Sequence, residues 1–237
     1  MKRLMISAIC ALTAAGVNAA DFFSTENCDN LFTFGARIGV NTTNRTLGSN
    51  SMPGAYHNES WGTGFDAGVT VDLNIRDYIS IQPGFFFETR SGSYVLMGSP
   101  TDISGIPENV EIAQAGKRSS YNFTIPVMAV LHFNLTDNLR WNVELGPYVA
   151  FVLDSKLNNK RFIVDGESDT PLFYQQASSV DFGIKMGTGL ELFNHYYLGT
   201  HYIAGCIDAW KDLKIGSYTK SFGGVTKGWV FTVGYNF

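Results

Sequence analysis

Several groups of side chains in this sequence could do chemistry. His57, Glu59 and Ser60 bring an imidazole, a carboxylate and a hydroxyl into four residues, the parts list of a nucleophilic hydrolase. A working triad converges from separate elements, so so short a run reads instead as part of a solvated first loop. His132 and His201 could serve a metal, but their segments are not neighbours in the order derived below, and no metal or other cofactor is expected. Thr188, Thr200 and Cys206 fall on one predicted face with no His, Glu or Ser companion, which leaves no triad there. The largest set is ionic: Arg37, Asp66, Asp72, Glu88, His132, Arg140, Glu144, Asp181, Lys185, Glu191 and His201. What they do depends on whether one structure turns them all inward.

That structure is written in the periodicity. Phe65, Ala67, Val69, Val71, Leu73 and Ile75 alternate with Gly64, Asp66, Gly68, Thr70, Asp72 and Asn74, the period of two that marks a strand. The same alternation recurs at 31–40, 78–90, 120–135, 139–153, 179–193, 196–207 and 226–237, giving eight strands with 64–75. Their connections alternate in length. Loops of about 23, 29, 25 and 18 residues face one way, and turns at 76–77, 136–138 and 194–195 face the other. Short turns at one end and long loops at the other are the asymmetry of an eight-stranded antiparallel up-and-down transmembrane β-barrel with short periplasmic turns and long extracellular loops.

A soluble barrel has the same alternation with its apolar set inside, so bulk must decide. Phe85, Phe87, Tyr121, Phe123, Trp141, Phe182, Trp229 and Phe231 share the apolar set and overfill an eight-stranded interior. The opposite set, with Gly35, Arg37, Gly183, Lys185, Arg140 and Glu144, suits a crowded polar lumen. Aromatic residues gather toward both strand ends, Phe32, Phe34, Tyr78, Phe133, Trp141 and Tyr196 at the turn end and Trp61, Phe65, Phe87, Tyr121, Phe151 and Trp229 at the loop end, as two interfacial girdles require. Pro83, Pro126 and Pro147 fall inside strands and predict bulges, because each lacks a ladder donor. Inside the lumen, Arg37, Asp66, Asp72, Glu88, Arg140, Glu144, Lys185 and Glu191 are expected to pair as a charge network that fills and stiffens the barrel.

The first 20 residues differ from the rest. Lys2 and Arg3 precede an uncharged stretch from Leu4 to Val17 and small residues at Ala19 and Ala20, the layout of a secretory signal peptide. The domain plan is therefore a signal peptide at 1–20, a periplasmic segment at 21–30 and a barrel at 31–237. Without Lys2 and Arg3 the 17 basic residues become 15 against 21 acidic ones, a formal charge of about −6, with no basic cluster, which argues against a nucleic-acid partner. Cys28 and Cys206 belong to opposite ends of strands that span roughly 30 Å, too far for a disulfide.

The last strand ends Trp229, Phe231, Val233, Tyr235 and Phe237 at every second position, and it resembles the C-terminal signal by which outer-membrane barrels are recognised for assembly. Four short motifs stand out in the strands, Tyr121-Asn122-Phe123-Thr124-Ile125-Pro126, Gly146-Pro147-Tyr148, Asp181-Phe182-Gly183 and Gly187-Thr188-Gly189, followed by Tyr202 and Gly205. On these residues the chain resembles, within that class, the PorT-like family of small outer-membrane β-barrel proteins, which shows an aromatic and a glycine where Tyr202 and Gly205 stand. Cys206 departs from the usual aliphatic.

The expectation is a non-enzymatic barrel in the outer membrane of a Gram-negative bacterium, acting as a surface-interaction or envelope scaffold. Its partners would be outer-membrane lipid, the barrel-assembly machinery through the C-terminal strand, and a surface or envelope protein through the loops. A narrow pore for small solutes and a lipid-modifying barrel enzyme are the alternatives. The loops, with Tyr56, Trp61, Tyr94, Phe162, Phe173, Tyr174, Trp210 and Tyr218, are where binding is expected.

Overall fold

The computed structural model describes residues 22–28, 30–46, 56–98, 112–163, 166–168, 177–211, 213–215, 218–220 and 223–237. The leader expected at 1–20, and Phe173 and Tyr174, lie outside the described residues.

Eight long strands make the molecule: β1 Phe32–Arg45, β2 Tyr56–Arg76, β3 Ile79–Gly98, β4 Ile112–Thr136, β5 Leu139–Ile163, β6 Val180–Leu192, β7 Tyr196–Gly205 and β8 Thr226–Asn236. Each pairs antiparallel with the next. β8 returns to β1, from Gly35 opposite Asn236 to Arg45 opposite Thr226, and the sheet closes into an eight-stranded antiparallel barrel. Closure leaves no free edge around the girth.

Alternation sorts the side chains. Phe34, Ile38, Val40, Val69, Phe85, Leu145, Leu198, Phe231 and Val233 are all exposed on the outer wall, whereas the charged set turns inward and is buried. A soluble barrel would have the reverse. A continuous apolar outer surface with a polar interior has lipid as its solvent. Among the described residues no helix is long and apolar enough to cross a membrane.

Aromatic rings form the expected bands. At the loop end Phe65 meets Phe87 at 6.1 Å and Phe87 stacks on Tyr121 at 6.0 Å. At the turn end Phe133 meets Trp141 at 5.2 Å and Tyr196 meets Tyr235 edge-on at 5.6 Å. The segment before β1 joins this lower band, with Phe22 against Phe133 and Phe23 against Tyr78. Cys28 donates its thiol to the Asn74 carbonyl there, while Cys206 lies exposed at the far end of β7, and both thiols are free.

Four expectations need correction. First, the strands of one wall run well past their expected limits. β2 to β5 have 21, 20, 25 and 25 residues against 14, 13, 10 and 11 in β1, β6, β7 and β8. Thr63, Ser91, Ser93 and Ser119 make the outer face polar where this wall leaves the lipid, so the apolar periodicity fades although the strands continue. His57, Glu59 and Ser60 consequently stand in β2, opposite Leu96, Tyr94 and Ser93, and not in a loop. Second, the prolines make no bulges. The ladder skips the pairs around Pro83, Pro126 and Pro147 and resumes in the same register, so each missing donor is absorbed as a local gap. The register shifts fall instead between Trp61 and Asp66, near the turns after Asn74 and Asn134, and at Leu153, where Tyr121 faces Asp154 while Asn122 faces Val152.

Third, the lumen is not uniformly polar. Phe86, Met128, Val130, Tyr148, Ala150, Tyr197, Ile203 and Val230 are buried inside it, with Tyr148, Ala150, Ile203 and Val230 forming one apolar cluster. Fourth, the turn between β6 and β7 is centred on Phe193 and Asn194, at φ 54° and 60°. Two left-handed residues let so short a hairpin follow the strand twist, and His195 N–H closes the turn on the Leu192 carbonyl at 3.1 Å.

Candidate functional site in the barrel lumen

Three polar layers fill the lumen, each built by side chains two apart on neighbouring strands. At the turn end Arg140 of β5 reaches Asp77 of the β2–β3 turn at 3.0 Å and donates to Asn134 Oδ1 at 3.1 Å. Just inside, His132 bridges Ser80 Oγ and Asn142 Oδ1, both at 2.9 Å, and Gln82 donates to Asp72 Oδ1 at 2.7 Å. Arg37 donates to Asn236 Oδ1 at 2.6 Å and lies 4.3 Å over the Tyr197 ring.

In the middle layer Glu144 accepts two hydrogen bonds, from Tyr197 Oη at 2.5 Å and from His201 Nε2 at 2.7 Å. Tyr197 can lie flat against the wall because Gly189 and Gly199 stand beside it: a Cβ at either would fall 2.5 Å or less from the ring or its hydroxyl. Lys185 completes the layer over the Phe86 ring at 5.0 Å. Asp66 is buried with no hydrogen-bond partner on either oxygen.

The loop-end layer is an arginine clamp. Arg90 Nε meets Glu88 at 2.9 Å and its Nη1 meets Asp181 at 2.7 Å. Tyr148 Oη donates to the same Asp181 oxygen at 3.1 Å. Above it Arg118 donates to the Arg45 carbonyl at 2.9 Å and stacks 4.2 Å over Trp210, whose indole N–H donates to the Thr46 carbonyl at 3.0 Å. Trp210 is therefore not an exposed docking aromatic: it is buried and roofs the barrel mouth.

The lumen residues expected from the sequence are thus brought into the interior. Arg37, Asp66, Asp72, Glu88, Glu144, Lys185 and Glu191 are buried, and Arg140 is half-buried at the turn end. They gather in clusters along the axis, with Arg37 of the turn-end layer touching the middle layer through the Tyr197 ring. Sequence reasoning missed Arg90, Arg118 and Arg45, which lie at or beyond the strand limits it drew. Arg90 was within reach, since it continues the inward parity of Glu88. Trp229, Phe231, Val233 and Tyr235 all face outward on β8, and Phe237 N–H bonds the Phe34 carbonyl at 2.8 Å.

Chemically, the Glu144, His201 and Tyr197 group has the parts of an acid–base centre, set among tightly packed side chains. The cavities beside it and toward the turn end measure about 20 and 40 Å³, room for a water or two each. On the lipid face Thr188 is engaged by Trp141 Nε1 at 2.6 Å and by the Asn142 carbonyl at 2.9 Å, and its neighbours there supply no acid–base partner.

No curated protein matches the chain. Among solved structures, it is similar to OprG of Pseudomonas aeruginosa at 12% identity and a TM-score of 0.43, covering 90% of this chain and 98% of that one. It is also similar to Ail of Yersinia pestis in complex with the heparin analogue sucrose octasulfate, at 12% identity and 0.38, covering 86% and 99%. LpxR of Salmonella typhimurium is matched at 10% identity and 0.32, covering 96% and 95%. The model of the outer membrane protein beta-barrel domain matches residues 19–209. The chain belongs to that family, and its apolar wall sits in an outer membrane.

Proposed function

We propose that this protein is a non-enzymatic scaffold of the Gram-negative outer membrane, built to hold a surface platform and not to conduct or to catalyse. The observation that carries the reading is the filled lumen. Among the described residues, three layers of polar side chains, an apolar cluster and a tryptophan roof occupy its length, and the cavities at Glu144, at Arg90 and toward the turn end are water-sized. Conduction needs a continuous wet path, and an acid–base centre needs room for its substrate.

What is built outward is the tall wall. β2 above Gly62 and β5 from Leu153 to Lys160 have sheet partners on one side only among the described residues. This four-stranded extension stands above the short wall as a rigid platform for a surface or envelope protein. Export follows from the leader at 1–20, the segment 21–30 remains periplasmic, and Trp229, Phe231, Val233, Tyr235 and Phe237 present β8 to the barrel-assembly machinery. The motifs at Tyr121–Pro126, Gly146–Tyr148 and Asp181–Gly183 support a place near the PorT-like members.

The test is single-channel recording of refolded protein in a planar bilayer, with a heat-shifted gel band to verify folding. A folded, silent barrel is expected. Stable, discrete openings that vanish when Arg37, Arg140, Glu144 or Lys185 is neutralised would replace the scaffold reading with a pore.

A further inference from the structure

Arg45, Arg90 and Arg118 converge on a cavity of about 20 Å³ at the loop end of the lumen, lined also by Thr43, Asn44 and Ser120. Its donors are not all engaged. Arg90 uses Nε on Glu88 and Nη1 on Asp181, while its third nitrogen, Nη2, is buried with no partner. The Ser120 hydroxyl on β4, directly opposite Arg90 in register, is buried and unpartnered as well. Arg45 leans to Asn122 Oδ1 at 3.4 Å, and Arg118 is fixed by the Arg45 carbonyl and the Trp210 ring.

Buried N–H and O–H groups call for an acceptor. Glu88 Oε2 and Asp181 Oδ2 are held by Arg90's other nitrogens, and Asp181 Oδ1, though buried without a partner, makes no bond to Nη2. Water would accept, but three guanidinium groups against the two carboxylates on Arg90 leave net positive charge around one small, partly dry cavity, which favours an acceptor that carries negative charge. Size narrows the class further: a space of about 20 Å³ suits a single-atom or water-sized species. We propose that this cavity is a halide site, taking chloride in the cell, held by Arg90 Nη2 and Ser120 Oγ within the field of Arg45 and Arg118. Bound there, the ion would tie β1, β3 and β4 together beneath the Trp210 roof, at the base of the tall wall.

The probe is bromide. The full barrel is refolded in detergent in sodium gluconate, whose anion is too large to enter, and bromide is titrated in at constant ionic strength. The thermal midpoint should rise with bromide and saturate, and crystals grown in bromide should show an anomalous peak within about 3.5 Å of Arg90 Nη2 and Ser120 Oγ. Ser120→Ala should weaken the bromide effect about tenfold, and Arg45→Gln should do the same without touching the Arg90 clamp. Ser93→Ala, exposed on the outer face of β3, should leave it unchanged. A wild-type midpoint that ignores bromide, a cavity peak missing while surface bromides are visible, or a bromide response in Ser120→Ala and Arg45→Gln as strong as the wild type's would each overturn the proposal and leave water as the acceptor.

Discussion

At the loop end of the lumen Arg90 sits between Glu88 and Asp181 with every partner's side chain no more than 8% exposed, whereas at the turn end Arg140 meets Asp77 with both 26% exposed. The chemistry is the same, a guanidinium on carboxylates, and the surroundings are opposite. The turn end stays hydrated because a short hairpin cannot cover it. The loop end is sealed, since Trp210 folds over the mouth and the tall wall rises around it. A hydrated pair can lose one partner to water, but a sealed one cannot, so the two ends should answer the same mutation very differently.

The largest effect is expected from Arg90→Met. It strands two carboxylates in a dry lumen and should lower unfolding stability by about 3–5 kcal/mol, read as the urea midpoint of the barrel in micelles. Replacing Arg90, Glu88 and Asp181 together by Met, Leu and Leu removes the charges with their partners and should recover most of that loss. If the single and triple variants unfold alike, the clamp is not the sealed unit described here, and the contrast between the ends fails at its stronger side.

How much of that contrast could be read from the sequence depends on where lipid shaped the pattern. Between the two girdles an outward residue must be apolar and an inward one must fit the lumen, so parity alone placed Arg37, Asp66, Glu144 and Lys185 correctly. Above the outer girdle both faces meet water or the mouth, and Thr63, Ser91 and Ser119 carry no sign of side. Arg118 and Arg45 were lost there, and with them the upper half of the loop-end cluster. Pro83, Pro126 and Pro147 misled for another reason: sequence shows the missing donor but not whether the neighbouring strand can leave a gap in the ladder. The Leu153 slip had no local signal at all. Nor could parity foresee the division into layers, because which inward residues meet across the axis depends on the stagger of strands around the barrel.

The middle layer should respond between the extremes. Gly199→Ala puts a methyl into the Tyr197 hydroxyl and should cost about 2–3 kcal/mol through the displaced ring. Tyr197→Phe keeps the ring and removes the donor to Glu144 with its long 3.4 Å contact to His201, so a smaller loss of roughly 1.5–2 kcal/mol is expected from urea unfolding. Should Tyr197→Phe cost as much as Gly199→Ala, the hydroxyl and not the ring would be what the glycines accommodate.

The smallest effect belongs to Arg140→Ala. Asp77 and Asn134 both keep access to water at the turn end, so the carboxylate rehydrates and the barrel should lose no more than about 1 kcal/mol. Salt separates this pair from the Arg90 clamp more sharply than the size of the loss does. Raising ionic strength from about 0.05 to 0.5 M shortens the screening length to a few ångströms, which should erase what remains of the difference between wild type and Arg140→Ala. The gap between wild type and Arg90→Met should persist, because ions do not screen a pair they cannot approach. A salt-insensitive Arg140 effect would mean that the turn end is as sealed as the mouth. The partial exposure of Asp77 would then not be enough to hydrate it, and the two ends would differ in partner number alone.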